Sequence, residues 1–260
     1  LPFFLNGCIP NYLDCLFETV SGFTTTGATV LTDFDIPRSM HYWRAFTHWL
    51  GGMGILVFML AILPSQGAGS FQLMKFESPG PQVGKLVSKV RLTATILYVI
   101  YFALTLLEWI LLKCGGMDWF NSLIISMSTA GTGGFAATAE SVREFHSAYT
   151  DIVVTIFMLV FSVNFNLYYL VILGKIGNVL RDEEFRFYFL FVFLAIFAVT
   201  LDNTFRFAQY GGNFFTSLRY SAFAVASVSS TTGFMTADFA QWSSFSQFVL
   251  LLVMCVGAMA

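Results

Sequence analysis

Five apolar runs, at 42–63, 92–112, 152–173, 187–201 and 245–260, leave this chain few places to fold other than a lipid bilayer. Most approach the ~20 residues that a helix needs to cross a hydrocarbon layer of ~30 Å. A soluble all-helical protein would need a polar face on each helix, and runs such as 92–112 and 187–201 offer almost none. Composition agrees, with 57% of residues hydrophobic and 11% charged, where a soluble domain has about a quarter charged.

Between these runs lie shorter half-apolar segments, at 11–21, 118–128 and 213–228, too short to cross a bilayer but suited to dip into it. Each is followed at once by Thr, Ser and Gly: S-G-F-T-T-T-G-A-T from Ser21, S-M-S-T-A-G-T-G-G-F from Ser126, and S-V-S-S-T-T-G-F-M-T from Ser227. In the first and third the Ser stands six residues before Gly27 and Gly233, and the second needs one extra residue to put Gly133 there. The starts lie about 100 residues apart, which makes the segments an internal repeat. Each unit reads helix, short pore helix, Thr/Gly segment, helix, and the first unit begins without its leading helix.

A cation that leaves water must exchange its hydration shell for oxygens of partial negative charge, and rings of backbone carbonyls do this in potassium filters. Gly permits the positive φ angles that turn successive carbonyls toward one axis. Non-helical backbone at membrane depth is tolerated where it is buried in protein or lines a water-filled cavity. The segments 14–20, 120–127 and 218–228 are expected to be short helices whose C-terminal dipole ends face the pore and favour a cation. Glu18 in the first is an intramembrane carboxylate with two roles open to it, support of the filter backbone through hydrogen bonds or direct attraction of the ion.

Other features carry less. The net charge of −2 gives no case for nucleic acid or an electrostatic lipid anchor. Cys8, Cys15, Cys114 and Cys255 lack metal-ligand spacing and read as packing residues. His41, His48 and His146 have no partner spacing for metal and are expected at interfaces or caps. Asn164 and Asn166 are expected in a mid-membrane helix, as gate residues or as interhelical hydrogen-bonding groups, and Gly51, Gly52 and Gly54 point to close helix packing. The 31 Phe supply lipid-facing and packing mass. The polar stretches 65–91 and 174–186 are expected on one side of the membrane and hold seven of the 13 Lys and Arg, too even a split to orient the chain. Leu1 opens without an initiator Met or a cleavable signal peptide, so the numbering is expected to start inside a longer protein. An intramembrane enzyme is not supported, because H-E-x-x-H, G-x-S-x-G and a membrane-embedded Asp pair are all missing.

Several stretches resemble the Trk/Ktr/HKT superfamily of potassium transporters, and within it the TrkH-like membrane subunits. They are F-E-T-V-S-G-F-T-T-T-G-A-T at 17–29, W-R-A-F-T-H-W-L-G-G-M-G-I at 43–55, the long stretch 61–81, N-F-N-L-Y-Y with the later R-D-E-E-F-R, and S-S-T-T-G-F-M-T-A-D-F. The resemblance implies an all-α integral membrane fold of potassium-channel-like units around a central pore, four to a chain. It divides this sequence into a first pore unit at 1–64 lacking its leading helix, a cytoplasmic loop at 65–91, a second unit at 92–173, a cytoplasmic loop at 174–186 and a third unit at 187–260 truncated in its last helix. The fourth unit is expected to follow outside this sequence. The implied filter residues are Thr25, Thr26 and Gly27; Gly131, Thr132 and Gly133; and Thr231, Thr232 and Gly233. A shift of the second register would bring in Thr129 or Ala130 instead. In plant relatives a Ser at the first filter Gly goes with sodium preference, so Gly27 is the potassium form. The resemblance further implies gated potassium uptake, no cofactor beyond the transported K⁺, a homodimer in a bacterial inner membrane, and a cytoplasmic nucleotide-binding partner of the TrkA type on the two loops. The alternative is a symporter coupling K⁺ to Na⁺ or H⁺, in which Glu18 or Glu108 would relay charge.

Overall fold

The computed structural model describes residues 2–54, 90–206 and 210–258, and every regular element among them is helical. In chain order these are α1 (Pro2–Asn6), α2 (Tyr12–Phe23), α3 (Arg38–Gly52), α4 (Val90–Cys114), α5 (Trp119–Ala130), α6 (Ala148–Phe161), α7 (Phe165–Ile172), α8 (Ile176–Arg181), α9 (Glu183–Leu201), α10 (Phe214–Ser229) and α11 (Ser244–Val256). A π turn, Asp202–Arg206, extends α9, and 3-10 turns precede α6 and α11 at Ser141–Phe145 and Phe239–Gln241.

Among the described residues, two helices are long and apolar enough to span a bilayer. Ala94–Cys114 runs 21 residues at mean hydropathy 2.0, and Glu183–Arg206 runs 24 at 1.9. On α9 the residues left exposed, Phe187, Leu190, Phe193, Leu194 and Phe197, recur at helical spacing, while Tyr188, Val192, Ala195 and Val199 on the other side are buried. Both faces are apolar, and only contact with the rest of the protein distinguishes them. Lipid therefore stands where water would be.

The three short helices predicted ahead of the Thr/Gly segments are α2, α5 and α10. Each starts on an Asx cap: Asn11 accepts from Leu13 N, Asp118 from Phe120 N, and Asn213 from Phe215 N and Thr216 N. Such a cap satisfies amides that the first turn leaves without a partner. The order long helix, short capped helix, non-helical segment, second helix is followed by α4, α5 and α6, and again by α9, α10 and α11. Among the described residues α2, the segment after it and α3 repeat the last three parts of that order.

The helix after each of the first two segments packs between two short helices, α3 between α2 and α5, α6 between α5 and α10. Glycine lets α3 approach closely, as the sequence suggested: a side chain on Gly51 would meet the Phe23 carbonyl, and one on Gly52 would meet Gly131 and the Tyr101 hydroxyl. The largest core cluster joins α4, α5, α6 and α10 through fully buried Tyr101, Ile125, Met158 and Phe223.

The apolar run at 152–173 is not one helix. It stops at Phe161 and restarts at Phe165 as α7, so Asn164 sits in the break. Hydroxyls engage the carbonyls at the end of α6: Ser162 Oγ lies 2.8 Å from Met158 O and 3.0 Å from Leu159 O, and Tyr168 OH donates to Val160 O at 2.6 Å. Of the two polar stretches, 65–91 lies almost wholly outside the described residues, whereas 174–186 forms α8 and the Asp182-capped start of α9.

Candidate ion-filter site

The three short helices end alike. Their C-caps are Thr24, Gly131 and Ser230, and the next amides turn back, Thr25 N to Gly22 O at 3.1 Å, Thr132 N to Thr129 O at 3.0 Å and Thr231 N to Val228 O at 3.2 Å. Thr25, Thr132 and Thr231 then take φ of 53°, 51° and 60°, and two residues later Gly27, Gly134 and Gly233 take 76°, 76° and 79°. A β-branched residue at positive φ is an outlier that costs on the order of 1–3 kcal/mol. Three at one place in three repeats mark a conformation the fold imposes.

This pattern sets the register of the second segment. The counterpart of Gly27 and Gly233 is Gly134, and the matching triplet is Thr132, Gly133 and Gly134, with Gly131 at the helix cap. The matching Ser is Ser128, six residues before Gly134 as Ser21 is before Gly27, so the extra residue disappears. Ser21 Oγ donates to Ala28 O at 2.6 Å and Ser227 Oγ to Phe234 O at 2.7 Å, each holding the residue just past the Gly. Ser128 Oγ pairs instead with His48 Nδ1 at 3.1 Å.

The segments lie side by side in chain order. A Cβ on Gly27 would collide with the Gly133 carbonyl oxygen, and one on Gly134 with the Thr232 carbonyl oxygen, while one on Gly233 meets nothing within 4 Å among the described residues. The same contact thus occurs twice, between equivalent atoms of successive units, and the third unit presents its copy of that surface open.

Behind the segments sits a charged cluster. Glu18, 1% exposed, accepts from Val30 N at 3.1 Å, from Thr29 Oγ1 at 3.0 Å and from Arg44 Nε at 2.8 Å. Arg44, 2% exposed, also donates to Thr29 Oγ1 at 3.3 Å and to Ala136 O at 3.2 Å. Thr29 and Ala136 are each two residues past the Gly of their segment, so one guanidinium ties the first segment to the second. The Phe135 ring lies between Arg44, 4.1 Å away, and the stacked His48 ring at 3.9 Å.

His48 corrects the sequence expectation. It is not at an interface but fully buried, and its ring and carbonyl fill the space beside Gly133 and Gly131. His41 is buried too, with Nε2 on the Phe34 carbonyl at 3.0 Å, whereas exposed His146 caps the 3-10 turn at φ 45°. Sequence reasoning passed over Arg44. The available signal was its spacing, a lone cation four residues before His48 in an apolar stretch, on one helix face. Among the described residues no three His, Cys, Asp or Glu form a metal site, and the four cysteines are free.

Three capped short helices that each end in a strained Thr-x-Gly segment give an arrangement with known parallels. Residues 4–260 match the family model described as TrkH, cation transport protein. The chain belongs to the TrkH family. It is 36% identical over 99% of its length to the Trk system potassium uptake protein TrkH of Halomonas elongata, covering 54% of that protein. It is 34% identical over 93% of its length to the Trk system potassium uptake protein TrkG of Escherichia coli K12, covering 50% of it. The crystal structure of the potassium transporter TrkH from Vibrio parahaemolyticus matches with a TM-score of 0.77 at 29% identity, over 94% of this chain and 50% of that one. The TrkH family assignment and this match establish an all-helical membrane transporter fold. The chain spans about half the length of the relatives it matches.

Proposed function

We propose that this chain supplies three of the filter segments of a gated, channel-like potassium uptake pathway. The observation that carries the reading is the interlocking of the Thr/Gly segments, in which Gly27 and Gly134 each accommodate a carbonyl of the next unit. Alternation of left-handed Thr and Gly with an ordinary residue between them turns successive carbonyls to one side, where they can replace a hydration shell. The C-terminal ends of α2, α5 and α10 add partial negative charge at the same place. The ion-facing residues are then Thr25, Thr26 and Gly27; Thr132, Gly133 and Gly134; and Thr231, Thr232 and Gly233. Glu18 supports the filter backbone, because its oxygens are taken by Thr29, Val30 and Arg44. The relatives are named potassium uptake proteins, which supports K⁺ as the transported ion and no other cofactor.

On this reading the pore units run 1–64, 92–173 and 187–260, the stretches 65–91 and 174–186 are cytoplasmic, and a fourth segment from outside this chain closes against Gly233. The working protein is a multi-pass homodimer of a bacterial inner membrane, regulated by a TrkA-like nucleotide-binding subunit. The test is growth at low potassium of an uptake-deficient bacterial strain carrying the full-length gene, its Gly27→Ser variant or its Gly233→Ser variant. The parent rescues growth and both variants lose preference for K⁺ over Na⁺. Failure of the parent to rescue, or variants that match it, refutes the filter assignment.

One observation favours the symporter as a second reading. Glu108 in α4 is fully buried, with the Thr129 hydroxyl of α5 as its polar neighbour and no ion pair among the described residues, whereas Glu18 is committed to Arg44. A buried ionisable group within a membrane span is a candidate proton carrier. For the channel reading, Glu108→Gln retains the potassium accumulation of the parent in energised cells. A collapse of accumulation at normal protein level would favour coupling to H⁺.

A further inference from the structure

An apolar cavity of about 270 Å³ lies in the angle between α3, α4 and α5. One wall is a ladder of rings on α3, with Tyr42 stacked on Phe46 at 5.8 Å and Phe46 on Trp49 at 6.2 Å. The polar groups of Trp49, Thr105, Trp109 and Ser126 around it are committed elsewhere. Trp49 Nε1 donates to Thr105 Oγ1 at 3.2 Å, Thr105 Oγ1 to Tyr101 O at 2.8 Å, Ser126 Oγ to Leu123 O at 3.0 Å, and Trp109 Nε1 to Trp119 O at 3.2 Å. No donor among these is left for a headgroup or for water. An apolar cavity of only about 150 Å³ already stays dry and takes up a small hydrocarbon.

The mouth of the cavity fixes the source of the hydrocarbon. Phe102 and Leu106 on its rim are 56% and 39% exposed, and they belong to α4, a membrane span whose outer residue Val99 is 62% exposed. We propose that an acyl chain of a surrounding membrane lipid occupies this cavity. The chain lies against Ser126 and Met127 in the last turns of α5, directly before Ser128, whose hydroxyl pairs with His48. Lipid composition thereby bears on the support of the second Thr/Gly segment. The site itself does not depend on which ion the protein carries.

The test reconstitutes the full-length protein into phosphatidylcholine vesicles whose acyl chains carry a photoactivatable diazirine, and maps the adducts by mass spectrometry. Met127 is 7% exposed, so a chain reaches it only from within the cavity. Adducts are expected at Met127 as well as Val99. Leu106→Trp, which fills the cavity from α4, removes the Met127 adducts and leaves those at Val99, and Ser126→Leu, filling it from α5, does the same. Adducts confined to outer residues such as Val99, as they would be if another segment of the longer protein covered the cavity, overturn the proposal. So do Met127 adducts that persist in both filled variants.

Discussion

Replacing Gly134 with alanine in the full-length protein is expected to abolish the proposed potassium uptake, with no companion side-chain substitution able to restore it. The new methyl group faces two obstacles. At φ 76° an L side chain crowds its own backbone, at a cost of roughly 1–2 kcal/mol. It also collides with the Thr232 carbonyl oxygen, which is backbone of the neighbouring segment and one of the oxygens proposed to face the ion. Relief requires that carbonyl to move, and moving it dismantles the third segment along with the second. Gly133→Ala provides the contrast. Gly133 is not among the positive-φ positions, and its methyl group meets the His48 ring, a side chain that can be removed. Gly133→Ala therefore loses uptake, and Gly133→Ala combined with His48→Ala recovers part of it. Uptake rates in the deficient strain, normalised to membrane protein level, check both outcomes. Parental uptake by Gly134→Ala would remove the reason for reading these segments as a closely packed filter.

The repeat that frames this prediction was legible because the period of about 100 residues and the Ser, Thr and Gly content survive in the sequence. Apolar runs gave the long helices, and Asn11, Asp118 and Asn213 are local signals that need no tertiary information. The register of the second segment was harder, because G-T-G-G offers two overlapping triplets and two serines, Ser126 and Ser128, from which to count. Left-handed backbone at Thr132 and Gly134 separates them, and that is a property of conformation. The break after Phe161 was hidden for a different reason. The run is uniformly apolar, and the hydroxyls involved include Tyr188, which reaches Ser162 Oγ at 2.9 Å from α9. A bond spanning 26 residues leaves no periodic trace. The partner of Glu18 was missed on the same grounds, since its cation also lies 26 residues away on another helix.

That partnership underlies the second large effect. Glu18→Gln and Arg44→Gln each destabilise the protein by about 3–5 kcal/mol, the cost of leaving one charge buried without its counterion. The double variant Glu18→Gln with Arg44→Gln is less destabilised than the sum of the two, because no uncompensated charge remains, and thermal unfolding of the detergent-solubilised protein measures all three. Stability alone would make the pair an ordinary strut. What distinguishes it is geometry: Arg44 meets Glu18 through Nε, Ala136 through Nη1 and Thr29 through Nη2, a planar fork that an ammonium cannot reproduce. Arg44→Lys keeps the charge beside Glu18 and is expected to fold, but it cannot hold both segments at once. Its K⁺ over Na⁺ preference falls while its unfolding temperature stays closer to that of the parent than Arg44→Gln does. Unchanged selectivity in Arg44→Lys would mean that the link between the first and second segments is carried by backbone packing alone, with Gly27 against the Gly133 carbonyl as the contact that holds them.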